Sequence, residues 1–178
     1  RELGEVDKIA NTYLTEQFSN KDNDLSQLRL PGMGKEIFFS DIQLCSDNSS
    51  SLMFGEDITF ELTIQSRINM ENLSFGVSIF NNTGSCVGSL TTDNTFLIKA
   101  SEKLSMSLKM LNTNLAPGSY YTSFGLSQKN SHALFDAIVG KPNFQILPLS
   151  VDKLQSISNW QREWGNIYFR ESELVIYK

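Results

Sequence analysis

The stretch GEDITFELTIQSRINMENLSFGVSIFNNTGSCVG, residues 55–88, decides the fold. Ile58, Phe60, Leu62 and Ile64 alternate with Thr59, Glu61, Thr63 and Gln65. Further on, Leu73, Phe75, Val77 and Ile79 alternate with Ser74, Gly76, Ser78 and Phe80. A period of two puts one set of each run on either side of a β-strand. NNTG then supplies the polar, glycine-ended chemistry of a tight hairpin connection into SCVGSLTT. The polar sets differ in kind. The first is an ordinary wet surface, whereas the second is small and ends in an outward Phe80.

The same period extends through the middle of the chain. EIFFSDIQLCS reads as a first strand with a bulge, because Phe39 and Ile42 are out of phase. DNSSS reads as a turn, and strands are expected over 56–66 and 72–80. KLSMSLKML carries Leu104, Met106, Leu108 and Met110 on one side. LAPGSYYTSFGLS is a Pro-Gly turn feeding a strand with Tyr120, Thr122, Phe124 and Leu126 on one face. PNFQILPL closes the series with Phe144 and Ile146 inward. Seven or eight short strands, closely spaced turns and no intervening helices predict an all-β, immunoglobulin-like antiparallel β-sandwich over 36–149.

The flanks have a different character. Val6, Ile9, Ala10, Tyr13, Leu14 and Phe18 follow a helical spacing, so a short N-terminal helix is expected. Residues 19–35 are polar and end in Pro31, Gly32 and Gly34, which is linker chemistry. Residues 1–35 are therefore read as a helix and linker leading from an upstream module. Residues 150–178 form a C-terminal extension, with a short helix carrying Trp160 and Trp164 and then one or two strands ending in SELVIYK. Such a β-prone end can pair with its own sheet or be exchanged with another chain.

Composition narrows the function. The chain has 178 residues, is 40% hydrophobic and carries a net charge of −5 with no Lys/Arg cluster. Nucleic acid is not expected as a partner, because phosphates need neutralising charge. No apolar run is long enough for a membrane helix. Cys45 and Cys86 are the only two cysteines and are expected as free thiols. With a single histidine, His132 in the polar loop KNSHALFD, neither a catalytic triad nor a metal cluster is expected. A carboxylate pair for glycoside hydrolysis could draw on Asp41, Glu61 or Asp136, but nothing in the sequence raises one above the others. No catalytic residue, metal or cofactor is assigned.

The small-residue face remains. Ser74, Gly76 and Ser78 point outward from one strand, and Ser119, Tyr121, Ser123, Gly125 and Ser127 from another. In an immunoglobulin-like order both strands belong to one sheet, which would then present a shallow trough. Ser74, Ser78, Phe80, Tyr121, Ser123 and Gln145 are the candidate carbohydrate contacts, since sugars lay C–H faces on aromatic rings and exchange hydrogen bonds with hydroxyls and amides. Alternatively another segment covers this face, because strand glycines also mark close approach of a backbone. Both readings stay open at this point.

The order of these features resembles a known family. FGEDITFELTI, FGVSIFNNTGSCVGSLTT, LAPGSYYTSFGLS and PNFQI, with GEVDKIANTYL upstream, are similar to the C-terminal carbohydrate-binding domain of the Wzt-type ATPase subunit of O-antigen polysaccharide ABC transporters. The resemblance covers roughly 4–14 and 36–147; the tail after 148, with its two tryptophans, is longer than the family pattern. It implies a non-catalytic sandwich on the cytoplasmic side of the inner membrane that binds a lipid-linked O-antigen polysaccharide and couples it to export. The partners it implies are that polysaccharide, a second copy of the chain through terminal-strand exchange, and a transmembrane transporter subunit through the parent ATPase, whose nucleotide motifs would lie upstream of Arg1. A surface adhesin or pilus module and a glycan hydrolase are the alternatives.

Overall fold

The computed structural model describes residues 24–46, 50–129, 133–148 and 165–168. Among the described residues nine strands follow in chain order: β1 (Ile37–Cys45), β2 (Ser51–Met53), β3 (Ile58–Ser66), β4 (Met70–Asn81), β5 (Cys86–Thr91), β6 (Phe96–Ile98), β7 (Lys103–Met110), β8 (Gly118–Gln128) and β9 (Leu134–Leu147). They form a three-stranded sheet, β1-β3-β7, facing a six-stranded sheet, β2-β9-β8-β4-β5, with β6 paired to β4. The expected immunoglobulin-like sandwich is what the chain adopts. One pairing is parallel: Ser51–Met53 runs alongside Gln145–Leu147, so the segment after the predicted DNSSS turn is itself a short edge strand.

The alternation in the opening stretch is honoured residue by residue. Ile58, Phe60, Leu62 and Ile64 are buried, as are Leu73, Phe75, Val77 and Ile79 on β4 and Tyr120, Phe124 and Leu126 on β8. Phe124 ties the two sheets together. Its ring meets Phe39 of β1 and Phe60 of β3 edge-on, at centroid distances of 6.1 and 5.2 Å. Such edge-to-face pairs add to the burial of the rings themselves. The predicted bulge in β1 is real: the register with β3 shifts between Phe39 and Asp41, which returns Ile42 to the core.

The NNTG turn owes its shape to one side chain. Asn81 Oδ1 accepts from the Thr83 and Ser85 amides at 3.1 and 2.9 Å and from the Thr83 hydroxyl at 2.7 Å. Gly84 takes φ +84°, where a side chain would be strained. The hairpin β4–β5 is thereby fixed in register, with Ser78 opposite Ser89.

Two expectations change on contact with tertiary structure. Residues 24–34, read as linker, pack onto the sandwich: Leu25 is buried, and the Leu30 amide donates to the Ala137 carbonyl at 2.9 Å. The segment read as a loop ending in Asp136 is the start of β9. Asp136 is fully buried, an uncommon place for a carboxylate. It is fully partnered there. Oδ1 accepts from Arg29 Nε at 2.7 Å and from the Ala137 amide at 3.0 Å, and Oδ2 accepts from the Phe39 amide at 2.8 Å. Arg29 Nη2 also donates to the Phe39 carbonyl at 2.8 Å. Cys45 and Cys86 are exposed free thiols. The predicted helix at 6–18, His132, Trp160, Trp164 and SELVIYK lie outside the described residues.

Replacing Asp136 by Ala strips Arg29 and two backbone donors of their shared acceptor. The expected loss of stability is about 3–5 kcal/mol, as for breaking one side of a buried ion pair. Urea unfolding of D136A beside a half-buried control, D41A, measures it; equal, small effects would show that the carboxylate is dispensable.

Candidate functional site

The outer face of the six-stranded sheet is built by phase. Because Val77 and Ile79 enter the core, Ser78 and Phe80 must leave it; because Tyr120, Thr122 and Phe124 enter, Tyr121 and Ser123 must leave. β4 and β8 belong to one sheet, as expected, and are immediate antiparallel neighbours in it. Their register sets Gly76 opposite Gly125, Ser78 opposite Ser123 and Phe80 opposite Tyr121. β5 extends the rows, with Ser89 beside Ser78 and Thr91 beside Gly76. On the other side, β9 sets Val139 beside Ser123 and Asn143 beside Tyr121.

The result is a floor with a raised end. Ser89, Ser78 and Ser123 place three hydroxyls in a line across three strands, and Ser78 Oγ lies 2.8 Å from Ser89 Oγ. Phe80 and Tyr121 stand beside this row as a stacked pair, centroids 5.2 Å apart and planes within 9°. The stack fixes both rings at little conformational cost to a ligand. Cys86 sits opposite Phe80 at the β5 rim. The next row is kept low by contact as well as by composition. A Cβ on Gly76 would come within 3.2 Å of the Leu90 carbonyl oxygen, and one on Gly125 within 3.3 Å of Leu134 Cδ1.

The six candidates do not all meet. Ser78, Phe80, Tyr121 and Ser123 are brought together and are partly accessible. Ser74 shares their phase but is buried, its Oγ 3.4 Å from Ser127 Oγ. Gln145 faces Ser119, one row beyond Tyr121, so the aromatic pair stands between it and the serine row. Ser89, Thr91, Val139 and Asn143 complete the face and were missed. The β5 pair was findable, because Ser89 and Thr91 keep the outward phase once the hairpin register is set. Asn143 was findable too, since it shares the outward phase of Gln145, whereas the place of Val139 beside Ser123 was not, because three residues, Gly140 to Pro142, bulge opposite Thr122 alone and shift the register by two while keeping the phase.

Nothing on this face is a catalytic constellation. Asp136, one of the possible hydrolytic carboxylates, has both oxygens engaged inside the sandwich. Asp41 and Glu61 lie on the opposite, three-stranded sheet, where Asp41 accepts from Gln43 Nε2 at 2.8 Å. No group of three metal-ligating side chains occurs among the described residues. Tyr120, the inward neighbour of Tyr121, donates its hydroxyl to the Ala116 carbonyl at 2.8 Å, and burial pushes its pKa up to about 12. Burial also raises the Cys45 thiol, with the neighbouring Glu61 charge adding to it. Deeper clefts open elsewhere, between the β5/β6 and β7 edges. One of about 580 Å³ is lined by Phe75, Leu90, Phe96, Met106 and Leu108 together with polar loop residues.

The two adjacent tyrosines report the phase. Tyr120→Ala should cost about 3–5 kcal/mol as a core aromatic. Tyr121→Ala should cost only the stacked contact with Phe80, about 0.5–1.5 kcal/mol. Denaturant unfolding of both variants measures the difference; equal large losses would mean that Tyr121 is covered by another segment.

Comparison with known proteins adds the lineage. The family model described as the Wzt C-terminal domain matches residues 34–158. Among solved structures, the crystal structure of the C-terminal domain of Wzt is similar with a TM-score of 0.64 at 14% identity, covering 83% of this chain and 87% of that one. A glycoside hydrolase family 2 β-glucuronidase (TM-score 0.42, 18% identity, 57% and 12% coverage) and the Pseudomonas fluorescens alkylpurine DNA glycosylase AlkC (0.45, 12%, 62% and 30%) share too little of the fold to carry an argument. A search of curated proteins finds no match. The family match spans the sandwich that the strand pattern predicts, and a solved fold similar over most of both chains bears the same name: the chain belongs to the Wzt C-terminal domain family.

Proposed function

We propose that this chain is a non-catalytic carbohydrate-binding module of an O-antigen ABC transporter ATPase, and that it holds its polysaccharide on the outer face of β4, β5, β8 and β9. The observation that carries the reading is the serine row ending at the stacked Phe80–Tyr121 pair. Hydroxyls donate and accept alike, as sugar hydroxyls do, and the exposed edges and outer surfaces of the rings offer apolar contact to C–H groups. An open face also suits a polymer, which cannot be enclosed as a small molecule is in a cleft. Ser74 and Gln145 then support the face from its margins.

The wider assignment rests on family membership. The module would sit at the cytoplasmic face of the inner membrane, recognise the lipid-linked glycan and commit it to export through the transmembrane subunit of its transporter. It would act as a homodimer. Ile167 bridges to Leu115, and the Tyr168 amide donates to the Asn114 carbonyl at 2.9 Å, so residues 167–168 meet the sandwich at the β7–β8 connection. That position lies at the open side of the sandwich, where an added strand would meet an edge.

The face is tested by bulk. Ser78→Arg should reduce affinity for O-antigen polysaccharide from the source strain by at least about tenfold, the loss expected when a central contact is blocked. Its melting temperature should stay within a few degrees, since the side chain can leave the surface. Gly125→Arg is the poorer probe, because Leu134 must move to admit it. Undiminished binding by S78R in calorimetric titration would place the glycan elsewhere.

The assembly is tested by sedimentation. The intact chain is expected to run as a dimer at micromolar concentration, and deletion of 171–178 to leave a monomer or an aggregating species. An intact chain that stays monomeric at high micromolar concentration would rule out the exchanged strand.

A further inference from the structure

We infer that the cleft at the end of β5 is a second sugar subsite, which takes one unit of the polysaccharide as it passes from the serine row over the edge of the sheet. The inference rests on the carbohydrate reading above and adds a place to it. The sequence TTDNT, Thr91 to Thr95, joins β5 to β6 and forms one polar side of the cleft. Thr91 belongs to both places. Its register sets it beside Gly76 on the outer face, where its Oγ1 would lie 3.6 Å from a Cβ on that glycine, and it also lines the cleft. Two residues of a strand cover about 7 Å, so the cleft begins one short step along β5 from Ser89.

The lining pairs apolar surface with unengaged polar groups. The cleft holds about 580 Å³, within the range of small-ligand sites. Phe75 and Phe96 supply rings 6.3 Å apart and tilted by 57°, and Met106 of β7 adds its side chain. Phe96 is half-buried, which leaves part of its ring to meet C–H groups. Asp93, Asn94 and Thr95 are exposed, and among the described residues no hydrogen bond engages their side chains. A carboxylate accepts from two hydroxyls at once, while an amide both donates and accepts, so the set suits the hydroxyls of one sugar. The backbone beneath is held. The Thr92 amide donates to the Phe75 carbonyl at 3.0 Å, the Phe75 amide to Thr92 Oγ1 at 3.2 Å, and Lys129 Nζ to the Asp93 carbonyl at 2.6 Å. Free side chains on a fixed backbone cost a ligand little to order. The neighbouring cleft lacks this chemistry: its lining is mainly apolar, with Ile79, Val87, Leu111 and Leu115 among it. A polymer cannot be enclosed whole, but one of its units can enter a recess beside an open face.

The test uses the whole 178-residue chain and short fragments of O-antigen polysaccharide from the source strain. Affinity is read by calorimetry, and the Met106 methyl signal by NMR on isotope-labelled protein, assigned through M106L. Met33, on the leading segment, is the distant control. Replacing Asp93 and Asn94 together by Ala should lower affinity at least about fivefold, the loss of one or two hydrogen bonds. The melting temperature of that variant should stay within a few degrees, since neither side chain is bonded. In the unsubstituted chain the Met106 signal should move at saturation while that of Met33 stays, a readout that holds even where the variant does not fold. Unchanged affinity in D93A/N94A, or a Met106 signal that stays in place although fragments bind, overturns the subsite and leaves the serine face to the Ser78→Arg test. Failure of the unsubstituted chain to bind any fragment overturns the carbohydrate reading itself, and this inference with it.

Discussion

The carboxylate of Asp136 is the interaction around which the sandwich closes. It is withdrawn wholly from water, and a buried charge is tolerated only when paired and hydrogen-bonded. Its three donors come from three parts of the chain: Arg29 ahead of the strands, Phe39 in β1 and Ala137 in β9. One side chain therefore joins the first strand of the small sheet to the last strand of the large one, and locks the leading segment across both. A hydrophobic residue there would bury more easily but would leave the Phe39 amide and the Arg29 guanidinium without an acceptor. The Phe38 ring lies near both Arg29 and Arg67, with guanidinium carbons 5.5 and 5.4 Å from its centroid, so the same corner is reinforced from outside.

This closure matters for the outer face because β9 is shared. Asp136 and Ile138 point inward on β9, while Val139 and Asn143 of the same strand flank Ser123 and Tyr121. Phe124 does the equivalent on β8, packing edge-on against Phe39 and Phe60 from between Ser123 and Gly125. Ser78, Gly76 and Gly125 thus alternate with tightly packed inward residues. A face of serines and glycines carries little stabilising contact of its own, and strand glycines weaken a sheet. Here the stiffness is supplied from the inner side, which leaves the outer side free to be shaped for a ligand.

The clefts and the face divide the surface by shape. The clefts between β5, β6 and β7 arise because β7 and β5 are the unjoined edges of their sheets, so the sandwich gapes there. One is lined mainly by apolar side chains, with Leu111 62% exposed among them, and the other mixes Phe75, Phe96 and Met106 with the polar residues Thr91 to Thr95. The serine row differs in shape: low relief, polar atoms on each strand, and an aromatic wall at one end.

The alternation of 58–64, 73–80 and 120–126 was enough to fix the inward and outward sets, and with them the sandwich and most of the face, while Phe39 and Ile42 gave the bulge in β1 by falling out of phase. Those are local matters: side-chain direction in a strand follows from the pleat alone, and the Asn81 turn is made by neighbours in sequence. Four of the six proposed contacts fall together for that reason. What sequence did not reveal depended on partners far along the chain. Asp136 reads as a loop residue until Arg29 and the Phe39 amide, 107 and 97 residues away, are brought to it. Ser74 has the right phase, but packing buries it; Gln145 has the right phase, but the register sets it behind Tyr121. β2 is too short for a pattern and exists because β9 offers it an edge. Phase is a property of a strand by itself. Register and burial are properties of strands in contact, and only the folded chain decides them.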